Sequence, residues 1–496
     1  MGVLKFQLTS PDLASRLPEL RKAYVTGLDR TPSRLGIEFR QGLMLCYRDT
    51  NESGRLYVPW PVEGFGTPII GTATLAERPE PYSLAVELAR GRLNELRNQL
   101  ADWKQMGLRV PTELEGMMGE AHRAFVKAAT SGERPEESSA AAQASLGAAC
   151  AAGNFMVETY TTQVLQTRLS STAKLSTLFG CMLDGDPKPA AWVREWPAAF
   201  NAAQACSPWR TLAPAEGQYS WESLDAQIAW CRKHKIQLQV GPLLDFRPRA
   251  LPDWIWLWEG DFDTLLGLVV DFVRQAVTRY RGKVPLWHLI HRPACNEFLG
   301  LSEEEQIRIA ARAIQVARQA DPSAQFTVGV ERPWAEWMGN TTYQLGPLHL
   351  ADYLVRADLG LAGIVLEIAP GYSSPGSHIR DLFDFSRLLD LYALLNLPLH
   401  VWFAFPSSCR PDPQADPTVR VESDQWPVPP DETTHAAWSA KWTALAVAKP
   451  FVRSVTWLQP SDATPHLYPN AGLFRPDQTP KPLFSWMKSF RREIIA

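Results

Sequence analysis

Hydrophobic and polar positions follow two textures along this chain, and the change falls near Lys174. Beyond it, short apolar stretches alternate with amphipathic ones of helical period, the pattern of strands and helices layered around a parallel sheet. The pattern predicts strands at Ser176–Cys181, Ala203–Cys206, Gln237–Val240, Leu286–Ile290, Phe326–Val330, Gly363–Ile368, Leu399–Phe403 and Val455–Leu458. Helices are predicted between them, among them Ser220–His234, Asp263–Tyr280, Ser302–Gln319 and Asp381–Leu394. Eight strands over about 320 residues suit a closed (β/α)8 barrel spanning 170–496.

Before the barrel the periods differ. Residues 1–83 read as a small β-rich domain, with β-prone stretches at Leu35–Phe39, Leu43–Tyr47, Arg55–Val58 and Pro68–Leu75, broken by turn clusters such as Arg48–Gly54. Residues 84–169 switch to helical spacing. Ala85, Leu88, Leu93, Leu96, Leu100 and Trp103 share one face of a first helix. Thr112–Ala129 and the Ala-rich Ala140–Leu169 follow, separated by the polar stretch Ser131–Ser139, read as a loop. This segment is a candidate contact for a homo-oligomer. No repeat recurs at periods of 20 to 50 residues.

Composition narrows the class. A chain of 496 residues exceeds one small core. A formal net charge of -3, without a Lys/Arg-rich run, gives no electrostatic footprint for nucleic acid. No run of about 18 apolar residues predicts a membrane span, and Met1–Leu20 lacks the secretory pattern. Seven cysteines without metal-ligand spacing read as reduced thiols of a cytoplasmic protein, with neither a metal nor an organic cofactor expected. Nineteen tryptophans stand out, because an indole face is apolar and its edge donates a hydrogen bond, which suits both a core and a sugar platform.

Several ordered landmarks carry a resemblance. Trp209 is followed by the turn Ala213-Pro214-Ala215-Glu216-Gly217-Gln218-Tyr219 and by Asp225 at a helix start. Then come Leu251-Pro252-Asp253-Trp254, Arg279-Tyr280-Arg281-Gly282-Lys283 ahead of the fourth strand, Ala362-Gly363-Ile364-Val365-Leu366-Glu367 in the sixth, and Ser454-Val455-Thr456-Trp457 in the eighth. Over about 320 residues this order resembles the family 10 glycoside hydrolases, the xylanases. The resemblance implies a (β/α)8 barrel that binds a carbohydrate and acts on β-linked glycans at the C-terminal ends of its strands. It also implies acid/base and nucleophile glutamates on strands 4 and 7. Here the matching positions hold Arg292 and Phe403, and a retaining glycosidase needs two carboxyls about 5–5.5 Å apart.

Other carboxylates stand at the predicted mouth. Glu367 and Glu331, ending strands 6 and 5, are the candidate relocated acid and nucleophile. The alternative is that Glu367 pairs with Arg292 and Glu331 with Arg332 or solvent. Asp245 and Asp462 are candidates for holding a sugar hydroxyl or capping a turn, and Glu336, flanked by Trp334 and Trp337, for part of a sugar platform or a packed helix start, with His291 and Arg292 beside them. Trp209, Trp254, Trp287, Trp402 and Trp457 are candidate stacking faces, each with a core role as the alternative. Period-two alternation cannot turn His288, His291 and Arg292 all inward, so a bulge or twist is expected near Ile290. Two functions remain open from sequence: a glycosidase with relocated carboxylates, and a non-catalytic glycan-binding or scaffold barrel.

Overall fold

The computed structural model describes residues 2–27, 30–183, 185, 191–293, 298–341, 343 and 345–496. Eight parallel strands close into the barrel: Leu178–Met182, Ala202–Ala205, Gln237–Val240, Leu286–His291, Gln325–Glu331, Gly363–Ile368, Leu399–Phe403 and Val452–Trp457. The eighth pairs with the first, Ser454 opposite Leu178 and Trp457 opposite Cys181, which completes the ring. Strands 4 and 6 are buried along their whole length, as strands sandwiched between barrel interior and helices must be. A short continuation of strand 3, Leu244–Asp245, pairs with the end of strand 4 and carries Asp245 to the mouth.

Several barrel helices start where a side chain accepts from their orphan N–H groups. Asp261 caps Phe262–Arg279 through Thr264 N at 3.1 Å, and Asp381 caps Leu382–Ala393 through Asp384 N at 2.9 Å. Ser302 and Glu305 form a reciprocal capping box ahead of Glu303–Ala320. One expectation is corrected. The polar stretch before the third long helix is largely its first turns: that helix runs Pro135–Ser171, with Pro135 at its start and Glu136 and Glu137 in its first turn. Within the β-rich region a strand at Gly2–Gln7 precedes the predicted stretches, and its strands form two four-stranded sheets.

The three long helices, Leu84–Gln105, Thr112–Thr130 and Pro135–Ser171, lean on the barrel through the third. Trp103 and Tyr160 stack at 4.1 Å, and the Lys449 ammonium, held by Asp390 at 2.7 Å, lies 4.6 Å from the Tyr160 ring centre. Arg168 donates to Val447 O at 2.5 Å. Nearer the β-rich domain the seam is ionic. Arg92, 1% exposed, pairs with Asp381 and lies 3.5 Å from Asp384, while Glu95 binds Arg55 at 3.0 Å and Arg387 at 2.6 Å. Removing one member of a buried pair strands the other charge. Arg92→Ala is therefore expected to cost about 3–5 kcal/mol, measured as a lower denaturant midpoint. A loss under about 0.5 kcal/mol, the range of ordinary surface substitutions, would mean that the seam does not depend on this ion pair.

Candidate active site at the barrel mouth

Inward-facing positions on neighbouring strands fall into one row at the C-terminal end of the barrel. Glu331 stands opposite Glu367, and Glu367 opposite Trp402. On strand 4 the register slips between His288 and Ile290, so that both histidines turn inward, as the bulge expectation requires. The next residue, Arg292, adopts a left-handed backbone with φ 59° and donates its N–H to Gly329 O at 3.0 Å. Strand 5 makes room with Gly329. A Cβ there would lie 2.1 Å from His291 Nδ1 and 2.5 Å from His288 Cε1, so no larger residue fits beside the imidazoles.

Arg292 is the centre of the arrangement. Its Nε bonds Glu331, its Nη1 donates to Asp245 at 3.0 Å, and its Nη2 donates to both Glu367 oxygens at 2.9 and 2.8 Å. Glu367 also accepts from His291 Nε2 at 2.5 Å and from the Tyr468 hydroxyl. Asp245 accepts from Arg247 Nε at 2.9 Å, and Glu331 from Arg332 at 3.0 Å. Both pairings left open for Glu367 and Glu331 by the sequence are thus present. His291 Nδ1 continues to His288 Nε2 at 3.1 Å, and His288 Nδ1 to Thr327 Oγ1 at 3.2 Å. Trp402 packs beside both imidazoles, with ring centres 5.1 Å from His291 and 4.6 Å from His288.

The charges shift one another. Burial by itself would raise the Glu367 carboxyl, but the Arg292 guanidinium, with His291 donating, holds it well below the usual carboxylate range. Asp245 is likewise held low, against its burial, first by Arg247 and then by Arg292. Burial lowers the basicity of His288, and the neighbouring His291 and His400 lower it further. Burial and the Glu367 carboxylate push the Tyr468 phenol up.

Above the network opens a cavity of about 440 Å³, within the range of small-ligand sites. Asp245, His291, Glu367, Trp402 and Tyr468 line it together with Arg247. Asp245, His291, Arg292, Glu331 and Glu367 of the sequence candidates are therefore brought together. Others are not. Trp209, Trp287 and Trp457 are core residues at 0–1% exposure. Trp209 stacks on Phe272 at 4.8 Å, and Trp457 donates to Ala471 O at 2.8 Å. Trp254 is half-buried and committed to Ala213 O at 2.8 Å. Asp462 is buried against Lys481 at 2.5 Å, and Glu336 is bound by Arg380 and by His378 N at 2.6 Å, away from the cavity. Phe403 faces the helix layer, its ring centre 5.7 Å from Phe385, so strand 7 presents Trp402 to the cavity instead.

Tyr468 and Arg247 escaped the sequence reading. Arg247 has a faint signal, an arginine two residues after an aspartate on a mouth loop. Tyr468 has none, because only closure of the barrel brings the loop after strand 8 to strand 6. Among the described residues one further group, Asp412, Asp462 and His466, has atoms spaced for a cation, and there the Lys481 ammonium already meets Asp462.

Comparison with known proteins matches this region. Residues 199–328 fit the family model of glycosyl hydrolase family 10. Over this span the barrel is similar to the xylanase-like barrels of that family. The matched span holds strands 2 to 4 and most of strand 5, with Asp245, His291 and Arg292, and ends before Glu331 and Glu367. Two curated relatives are similar over the same share of the chain. Endo-1,4-beta-xylanase A of Fusarium oxysporum f. sp. lycopersici is 28% identical over 126 residues, 24% of this chain and 37% of the relative. Endo-1,4-beta-xylanase B of Humicola insolens is 28% identical over 119 residues, 24% of this chain and 32% of the relative. The chain thus spans about a third of the length of these relatives. Among solved structures, native xylanase 10B from Thermotoga maritima superposes with a TM-score of 0.49 at 17% identity, over 64% of this chain and 96% of that one. The Thermobacillus composti GH10 xylanase gives 0.47 at 18%, over 66% and 99%.

The ion cluster has a pH signature. The Glu367 carboxyl is lowered on folding, so its stabilisation is complete above the unfolded value of about 4.3 and is lost as pH falls. Glu367→Gln leaves Arg292 short of one counter-charge and is expected to cost about 3–5 kcal/mol at pH 7. The difference from wild type should shrink as pH drops below about 4. Denaturation followed from pH 7 to pH 3 checks this, and a difference independent of pH would refute the ionised assignment.

Proposed function

We infer that the barrel mouth binds a β-linked oligosaccharide and does not hydrolyse it through Glu367 and Glu331. The observation that carries this reading is the commitment of both carboxylates to one buried guanidinium. A general acid must hold a proton near working pH, and a nucleophile must turn a free oxygen lone pair to the sugar. Glu367 is kept ionised by its neighbours, and its two oxygens accept from Arg292, His291 and Tyr468. Glu331 spends one oxygen on Arg292 and the other on Arg332. On this reading Arg292 and Phe403 hold the positions that match the family's two carboxylates, strand 7 turns Trp402 to the cavity, and the mouth retains recognition without the paired acid and nucleophile.

The ligand class follows from the family match and from the lining. The relatives are named endo-1,4-beta-xylanases, and the cavity combines the Trp402 and Tyr468 rings with ionised Asp245 and Arg247. Rings offer an apolar face to a pyranose, while carboxylate and guanidinium address its hydroxyls.

Calorimetry with xylo-, cello- and manno-oligosaccharides, run beside hydrolysis assays on the same sugars and on aryl β-glycosides, tests the reading. Saturable binding without turnover is expected, weakened about tenfold, or 1.4 kcal/mol, in a folded Trp402→Leu variant. Turnover by the wild type that collapses in Glu367→Gln or Glu331→Gln would overturn it and establish the relocated carboxylate pair.

A further inference from the structure

A second cavity, of about 80 Å³, lies away from the mouth, where the β-rich domain meets the barrel. Its walls bring together Arg30, Tyr24 and Tyr57 from the domain with Arg380, Asp384 and Arg387 from the barrel side. Gly346, Pro347 and Leu348 also line it, and they open the ten-residue helix Pro347–Arg356, whose first N–H groups carry positive partial charge.

The charge in this seam is out of balance among the described residues. Arg30, Arg55, Arg92, Arg380 and Arg387 gather around Glu95, Glu336, Asp381 and Asp384. Each carboxylate is already engaged. Asp381 and Asp384 meet Arg92, Glu95 meets Arg55 and Arg387, and Glu336 meets Arg380. Arg30 is exposed and has no ion pair among the described residues. Arg380 is 1% exposed, and its Nε has no partner among the described residues. A buried guanidinium nitrogen left unpaired is costly unless something accepts its hydrogen. Asp384, the one acid in the wall, is shared between Arg92 at 3.5 Å and Arg387 at 3.8 Å.

We propose that this seam cavity is a binding site for one small oxyanion, a phosphate or the carboxylate of an acidic sugar. The anion sits between Arg30, Arg380, Arg387 and the start of Pro347–Arg356. Guanidinium forks suit such oxygens, and a helix N-terminus adds its own N–H donors. The stacked Tyr24 and Tyr57 rings, 5.1 Å apart, form an aromatic wall beside it. An anion held there touches both the β-rich domain and the barrel, so its binding tightens their junction by mass action.

Calorimetry and thermal unfolding of the full chain, with sodium phosphate, sodium glucuronate and glucose at constant ionic strength, test the site. Saturable binding of phosphate identifies a free oxyanion, and saturable binding of glucuronate an acidic sugar; either result, with a rise in Tm, supports the proposal. Glucose serves as the uncharged control. Arg30→Gln, an exposed position outside the mouth, should keep the ligand-free Tm and weaken binding about tenfold or more. Neither anion binding more tightly than about 10 mM, or Arg30→Gln binding as wild type does, would overturn it.

Discussion

A single buried guanidinium organises the mouth of this barrel. Arg292 lies between carboxylates from three strands: Asp245 on the continuation of strand 3, Glu331 on strand 5 and Glu367 on strand 6. A charge at 4% exposure is tolerated only when paired and hydrogen-bonded, and each of those carboxylates is tolerated only because of it. The local backbone serves this arrangement. The slip between His288 and Ile290 and the left-handed conformation at Arg292 bring strand 4 to the centre, and Gly329 leaves space for the two imidazoles. In the proposed function the same pairing that stabilises the mouth also keeps its carboxylates from acid or nucleophile work, so structure and proposal rest on one interaction.

Much of the barrel was legible because its strands are short, apolar and regularly spaced, and because its helices begin at recognisable caps such as Ser302 with Glu305. The bulge was legible from a conflict: alternation could not turn three polar groups inward. The pairing of Glu367 with Arg292 was one of two readings that charge complementarity allowed. Other features were hidden for identifiable reasons. Pro135 followed by two glutamates is a helix start, but it lay inside a polar stretch that resembles a loop. The tryptophans were ambiguous because volume suits a core as well as a platform, and packing against residues such as Phe272 placed Trp209 in the core. Strand 7 shows how a one-residue offset inverts a face. Phe403 points to Phe385, and Trp402 points to the cavity. Tyr468 depends wholly on closure of the barrel, which no local pattern encodes.

The region before the barrel is docked by ions and stacked rings. Trp103, Tyr160 and Lys449 join the helices to the barrel, and the arginine-rich seam around Glu95 and Asp384 joins the helices and the β-rich domain to it. Mouth and seam share one chemistry, arginines surrounded by carboxylates. They differ in that the mouth's three carboxylates converge on one guanidinium, while the seam holds one more guanidinium than it has carboxylates among the described residues.

The central claim is that Glu367 is ionised because Arg292 holds it. Carbon-13 NMR of the side-chain carboxyl carbons in a glutamate-labelled sample, with the Glu367 signal assigned by its loss in Glu367→Gln, reads that state directly across pH. The account predicts that this signal keeps its ionised position from pH 8 down to about pH 4, below the usual glutamate range. A midpoint near pH 6, as a general acid requires, would contradict it and return Glu367 to the catalytic role.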